Sequence, residues 1–211
     1  MICVSLGKIS YQEALENCRR EELVEIRADL ANFQVQELVK LFSAGANVVF
    51  TCRKSTIQEK TREELYKVAL ENKVKYMDLD FEEDRELLKN LEPFFDNSAT
   101  DLILSIHDFK QTPPADYLMA RMNEMKKAGA DVVKIACMVN TDADLTNLLS
   151  LYEETGRKII LGMGEKGIIT RVAALCMGAE FTFAFPEGKV KTAPGQLSKK
   201  DFHEILKIMK S

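Results

Sequence analysis

Short apolar runs alternate along the whole chain with longer stretches in which apolar residues recur every three or four positions. The runs are ICVSL (2–6), LVEIR (23–27), NVVFTCR (47–53), KYMDLD (75–80), DLILSIH (101–107), DVVKIAC (131–137), KIILGM (158–163) and EFTFAF (180–185). Their length and their Val, Ile and Leu content suit parallel strands buried on both faces. Helices are predicted between them. Residues 82–94, EEDRELLKNLEPF, carry Pro93 near the end, where it can stop a helix; residues 116–130 end in Gly129 and Ala130. Residues 142–156 open on capping-type residues and end in Gly156. Residues 198–210 open on Ser198 and set Phe202, Ile205, Leu206 and Met209 on one face.

Strand then helix, repeated eight times with no unit missing, predicts a parallel sheet with crossover helices. An open doubly wound sheet competes with a closed (β/α)8 TIM barrel. Even units without a break in composition favour closure, at the lower end of the barrel size range of roughly 200 residues and up. The expectation is a single α/β domain over residues 1–211 that begins at its first strand, without an N-terminal hairpin.

Composition narrows the class. With 46% hydrophobic and 29% charged residues the chain reads as a globular domain, and a net charge of −4 argues against nucleic-acid binding. No apolar run approaches the roughly 20 residues of a membrane span, and the first ten residues lack the pattern of a secretory signal. The five cysteines, Cys3, Cys18, Cys52, Cys137 and Cys176, form no C-x-x-C pair, and most fit buried thiols. With two histidines, no zinc-type spacing arises. A reduced, cytoplasmic protein is expected.

Polar groups then stand out where strands should be apolar. Ser5 sits late in the first run. Glu25 and Arg27 share a face, since strand residues two apart point the same way, as do Thr51 and Arg53, Asp78 and Asp80, and Ser105 and His107. Most lie toward a C-terminal strand end, where barrel active sites are built. Singly, a late-strand Arg or Glu can equally be a solvated rim group, and a strand histidine a hydrogen-bonded core residue. Lys134 is harder to dismiss. It lies mid-run between Val133 and Ile135, where burying an ammonium is costly. Desolvation and nearby cations favour the neutral amine, the nucleophile needed to form a Schiff base. Arg27, Arg53 and Arg171 would supply a cationic field and a bidentate carboxylate clamp. These residues point to an imine-forming enzyme for a small anionic carbonyl compound, with His107 moving protons.

Gly162, Gly164 and Gly167 spell G-x-G-x-x-G, the fingerprint of dinucleotide-binding turns. That turn belongs after the first strand of a nucleotide-binding half, and here only one strand follows. A tight turn after the seventh strand is expected instead. The polar segment 186–198, PEGKVKTAPGQLS, has Gly188 and Gly195 as hinges and reads as a lid.

In order along the chain the motifs are V-x-L at Ser5, E-I-R ending at Arg27, F-T-C-R ending at Arg53, S-I-H-D-F over 105–109, V-K-I-A at Lys134, M-G-x-x-G-x-x-x-R from Met163 to Arg171, and T-A-P-G-Q over 192–196. In this set the sequence resembles type I 3-dehydroquinate dehydratase of the shikimate pathway. The resemblance implies that Lys134 forms an imine with the C3 ketone of 3-dehydroquinate. It implies that His107 is general base and then general acid, and that Glu25 orients His107 and contacts a substrate hydroxyl. Arg171 would hold the substrate carboxylate. Arg27, Arg53, Ser5, Thr192 and Gln196 would read the rest, and Met163 and Phe183 would wall the pocket. No cofactor or metal is implied, and a homodimer is. The chain departs from the family where Glu-Gly-Gly usually follows the third-strand Arg. Here the stretch is RKSTIQEK, with Ile57 at the Glu position, which puts the mouth loop at 54–60 in question. Thr192 replaces the family serine and keeps a hydroxyl. A class I aldolase shares the strand lysine but needs a phosphate grip, and a barrel reduced to a binding role would have no reason to keep this set.

Overall fold

The computed structural model describes residues 1–54, 57–95 and 98–209. Its elements follow the predicted alternation: β1 Ile2–Leu6, α1 Tyr11–Arg20, β2 Leu23–Arg27, α2 Val35–Phe42, β3 Asn47–Thr51, α3 Glu59–Glu71, β4 Tyr76–Asp80, α4 Arg85–Phe95, β5 Asp101–Asp108, α5 Ala115–Lys127, β6 Val132–Met138, α6 Asp142–Ser150, β7 Lys158–Met163, α7 Ile168–Cys176, β8 Thr182–Phe185, β9 Leu197–Ser198 and α8 Lys199–Met209. Two compact units result, Met1–Val4 with Ser105–Ser211, and Ser5–Leu104. Among the described residues no helix is long and apolar enough to cross a membrane.

In Ser5–Leu104 the strands β2, β3 and β4 pair in parallel. Glu25 lies opposite Val49, Arg27 opposite Thr51, and Thr51 opposite Asp78. This register puts the polar strand ends level with one another. Leu23, Val24, Ile26, Val49, Phe50, Met77 and Leu79 are buried along the same strands. α1 starts at a capping box in which Ser10 Oγ accepts from Glu13 N and the Glu13 carboxylate accepts from Ser10 N.

In the other unit β6 pairs with β7, Lys134 opposite Ile159 and Met138 opposite Met163, while β8 lies between β1 and β9. α6 carries a second capping box, from Thr141 and Asp144. Four cysteines, Cys3, Cys18, Cys52 and Cys137, are buried free thiols, and Cys176 is exposed. Burial pushes the Cys137 thiol up to about 12.

Several element ends differ from expectation. Pro93 does not stop α4, which runs on to Phe95; a proline in the last turn removes few helical bonds. α6 ends at Ser150 and a 3-10 turn, Leu151–Glu153, replaces its predicted last turn. β3 closes at Thr51, so Cys52 and Arg53 lie past the strand. The segment after β8 returns as β9, pairing with β8. On α8, Phe202 is buried as expected but Met209 is 54% exposed, and Lys210 lies outside the described residues. So do residues 55–56 of the questioned mouth loop; Ile57 is half-buried.

Candidate active site

In the unit containing Ser105–Ser211, β6 holds Lys134 with a residue exposure of 6%. Its Nζ stands 4.3 Å from the centre of the Phe183 ring on β8. An aromatic face gives an ammonium weak electrostatic support and a neutral amine an apolar wall. His107, half-buried at the end of β5, stacks on Phe109 with ring centres 6.1 Å apart. Asp108 then turns the chain, its carboxylate accepting from the N–H groups of Lys110 and Gln111.

The glycine-rich stretch builds the next part. A Cβ on Gly162 would lie 2.8 Å from Gly167 Cα, and one on Gly167 would lie 2.5 Å from Gly162 C. These glycines let the end of β7 and the start of α7 touch backbone to backbone. Thr170 locks the contact, its hydroxyl accepting from Gly162 N at 2.7 Å and donating to Gly167 O at 2.6 Å. α7 therefore starts at once, and its first turn carries Arg171 inward, 2% exposed.

Arg171 is held unusually. Its Nη2 donates to Pro194 O at 3.2 Å, and its buried Nε has no partner. No carboxylate faces it among the described residues, and burial pushes its guanidinium down to about 10. The segment after β8 packs onto this place. Gly195 has φ +72, and a Cβ there would sit 2.4 Å from Gly164 O. Gln196 Oε1 accepts from both Thr192 N and Thr192 Oγ1 at 3.0 Å. Met163, 1% exposed, closes the end of β7. Met163, Arg171, Thr192 and Gln196 are thus brought into one neighbourhood.

In Ser5–Leu104 the predicted residues form a second cluster. The Glu25 carboxylate accepts from Ser5 Oγ and from Thr51 Oγ1, the latter at 2.9 Å. Arg27 and Arg53, expected to supply a cationic field and a carboxylate clamp, hold carboxylates of the chain itself. Arg27 grips Asp29 with two bonds of 2.9 and 2.6 Å, and Arg53 Nη2 donates to the buried Asp78 at 2.6 Å. Burial alone would push the Arg53 guanidinium down, but Asp78 outweighs it and carries it above its ordinary value. Arg53 Nη1 is buried without a partner.

Sequence reasoning missed the groups behind Arg53: Arg62, Tyr66 and Asp84. The available signal was Arg62 itself, a charged residue in the buried stripe Arg62, Leu65, Tyr66, Ala69 of α3. A charge on the apolar face of a helix needs a buried partner.

The family model of type I 3-dehydroquinase matches residues 2–211. A 3-dehydroquinate dehydratase of Methanococcus maripaludis is 33% identical over 99% of this chain and all of its own. The crystal structure of the 3-dehydroquinate dehydratase of Aquifex aeolicus covers 99% of this chain and 98% of its own, at TM-score 0.84 and 27% identity. That from Geobacillus kaustophilus superimposes at TM-score 0.86 and 24% identity, covering 99% of this chain and 90% of its own. The fold is of the expected (β/α)8 TIM-barrel class.

Proposed function

Because the chain belongs to the type I 3-dehydroquinase family of hydro-lyases, we propose that it converts 3-dehydroquinate to 3-dehydroshikimate through an imine on Lys134. Residues 1–211 act as one catalytic domain in this reading, at the third step of the shikimate route to chorismate and aromatic amino acids. A homodimer in the cytoplasm is carried by the family likeness alone.

The observation that carries the reading is Lys134: a mid-strand lysine, 6% exposed, with its amine on an aromatic ring. There the neutral amine can attack the C3 carbonyl, and loss of one water gives the iminium. The iminium draws electrons from the adjacent C2–H bond, and His107 takes that proton as general base. The resulting enamine expels the C1 hydroxyl, which His107 protonates to water. A second water hydrolyses the product imine and restores Lys134. The water taken up equals the water lost in forming the imine, so the net change is loss of one water. Glu25 serves as the carboxylate partner of His107, a role carried by the family likeness.

Arg171 supports the carboxylate end. A buried guanidinium with an unused N–H and no counter-ion suits a bidentate bond to an anion. Met163 and Phe183 wall the pocket; Ser5, Arg27, Arg53, Thr192 and Gln196 contact the hydroxyls and the rest of the ring. Segment 186–198 acts as the lid, drawn down through Arg171 and Pro194.

The test is turnover. Pure folded protein mixed with 3-dehydroquinate is expected to produce the ultraviolet absorbance of a conjugated enone; a flat trace removes the reading. His107→Ala should slow turnover by about 10²–10⁴-fold, the usual weight of a general acid–base group. A near-normal rate would remove His107 from that role.

A further inference from the structure

Arg62 is fully buried on α3, yet no step above uses it. A hydrophobic residue would fill that position at far less desolvation cost. What the guanidinium does instead is bond at every nitrogen. Nε and Nη2 donate to Cys52 O at 2.9 and 2.8 Å, Nη1 donates to both oxygens of Glu59, and Nη2 also reaches Asp84 at 2.7 Å. One turn on, the Tyr66 hydroxyl accepts from Cys52 N at 3.0 Å and donates to Asp78 O at 2.9 Å.

The placement of those acceptors is informative. β3 ends at Thr51, so the Cys52 peptide lies past the strand, and it carries Arg53 as the next residue. Side chains of α3 hold both its carbonyl and its N–H. Tyr66 also holds the backbone of Asp78, the counter-ion of Arg53. Asp84, gripped by Arg62, accepts from Asp80 N at 2.9 Å and so fixes the end of β4. One helix face therefore sets the backbone beneath Arg53 and beneath the carboxylate that aims it. Arg53 keeps its buried Nη1 for a further acceptor.

We propose that Arg62, with Tyr66 and Asp84, is a positioning residue that aims Arg53 at the substrate. The inference rests on the reading of Arg53 as a substrate contact and adds the device that orients it. Arg62 touches no substrate, and its effect passes through Arg53.

The experiment is a double-mutant cycle in steady-state kinetics with 3-dehydroquinate. Arg62→Lys keeps the charge beside Asp84 but loses the fork on Cys52 O. It is expected to raise KM about tenfold with kcat within about threefold, and to change KM less than about twofold in an Arg53→Ala background. Tyr66→Phe keeps the shape and loses the hydroxyl; it should raise KM about threefold, again only when Arg53 is present. A KM rise of the same size in both backgrounds overturns the proposal, as does an unchanged KM in folded Arg62→Lys. If Arg62→Lys shows no cooperative melt, the Tyr66→Phe cycle decides by the same criteria. Wild-type turnover measured alongside separates the failures. An active wild type with no coupling sinks this inference alone, whereas an inactive one sinks the dehydratase reading and this inference with it.

Discussion

The two residue clusters, one in each compact unit, hold their arginines in opposite ways. In Ser5–Leu104, Arg27 meets Asp29, Arg53 meets Asp78 and Arg62 meets Asp84. In the unit with Ser105–Ser211, Arg171 bonds a single carbonyl and its buried Nε has no partner. A paired arginine has its aim set before any ligand arrives. An uncompensated one carries a standing desolvation cost that an incoming anion relieves. In the proposed reaction the paired arginines would serve as fixed geometry, and Lys134 and Arg171 as the groups whose state changes.

The largest way to break this comparison is Lys134→Ala. The expected loss in kcat is on the order of 10⁶-fold, as for removal of a nucleophile elsewhere. The variant should still melt cooperatively, which separates lost chemistry from lost folding. A variant retaining a tenth of the wild-type rate would show that the lysine does no chemistry.

Stability separates the units next. Arg62→Met should lower the unfolding free energy by about 3–5 kcal/mol, because it leaves Asp84 buried and unmatched. Arg171→Met, in denaturant titrations of the ligand-free protein, should be neutral or stabilising, since it leaves no carboxylate behind. Equal destabilisation by both would dissolve the contrast. Arg171→Met should instead act on binding, raising KM about 30–150-fold, the equivalent of about 2–3 kcal/mol for a charged hydrogen bond.

The smallest effect lies away from both clusters, at the capping box of α6. Thr141→Ala should cost about 1 kcal/mol. Burial alone would raise the Asp144 carboxyl, but the N–H groups of Thr141 and Asn140 hold it below its ordinary 3.8. With the folded value depressed, this contribution is complete above the unfolded value and fades as pH falls below 3.8. Urea melts of wild type and Asp144→Ala should therefore differ at pH 7 and converge in acid.

The strands were legible because each is a short apolar run and the period never breaks. Lys134 was legible because a cation in the middle of such a run has no ordinary explanation. The glycines of 162–167 were legible as a turn, but not as the backbone contact of Gly162 on Gly167, which depends on where α7 begins. β9 stayed hidden because a two-residue pairing inside a Pro- and Gly-rich stretch has no period to detect. The partners of Arg53 and Arg62 stayed hidden for another reason. Asp78 is 25 residues from Arg53 and Asp84 is 22 from Arg62, so only the folded register joins them. Residue type announces that a buried charge needs a partner; topology decides which.

Reduction with borohydride in the presence of 3-dehydroquinate addresses the Lys134 imine most directly. The account predicts that reduction fixes one substrate-derived adduct per chain and that peptide mapping finds it on Lys134, with His107→Ala still labelled. A label on any other lysine, or none while product forms, would contradict it.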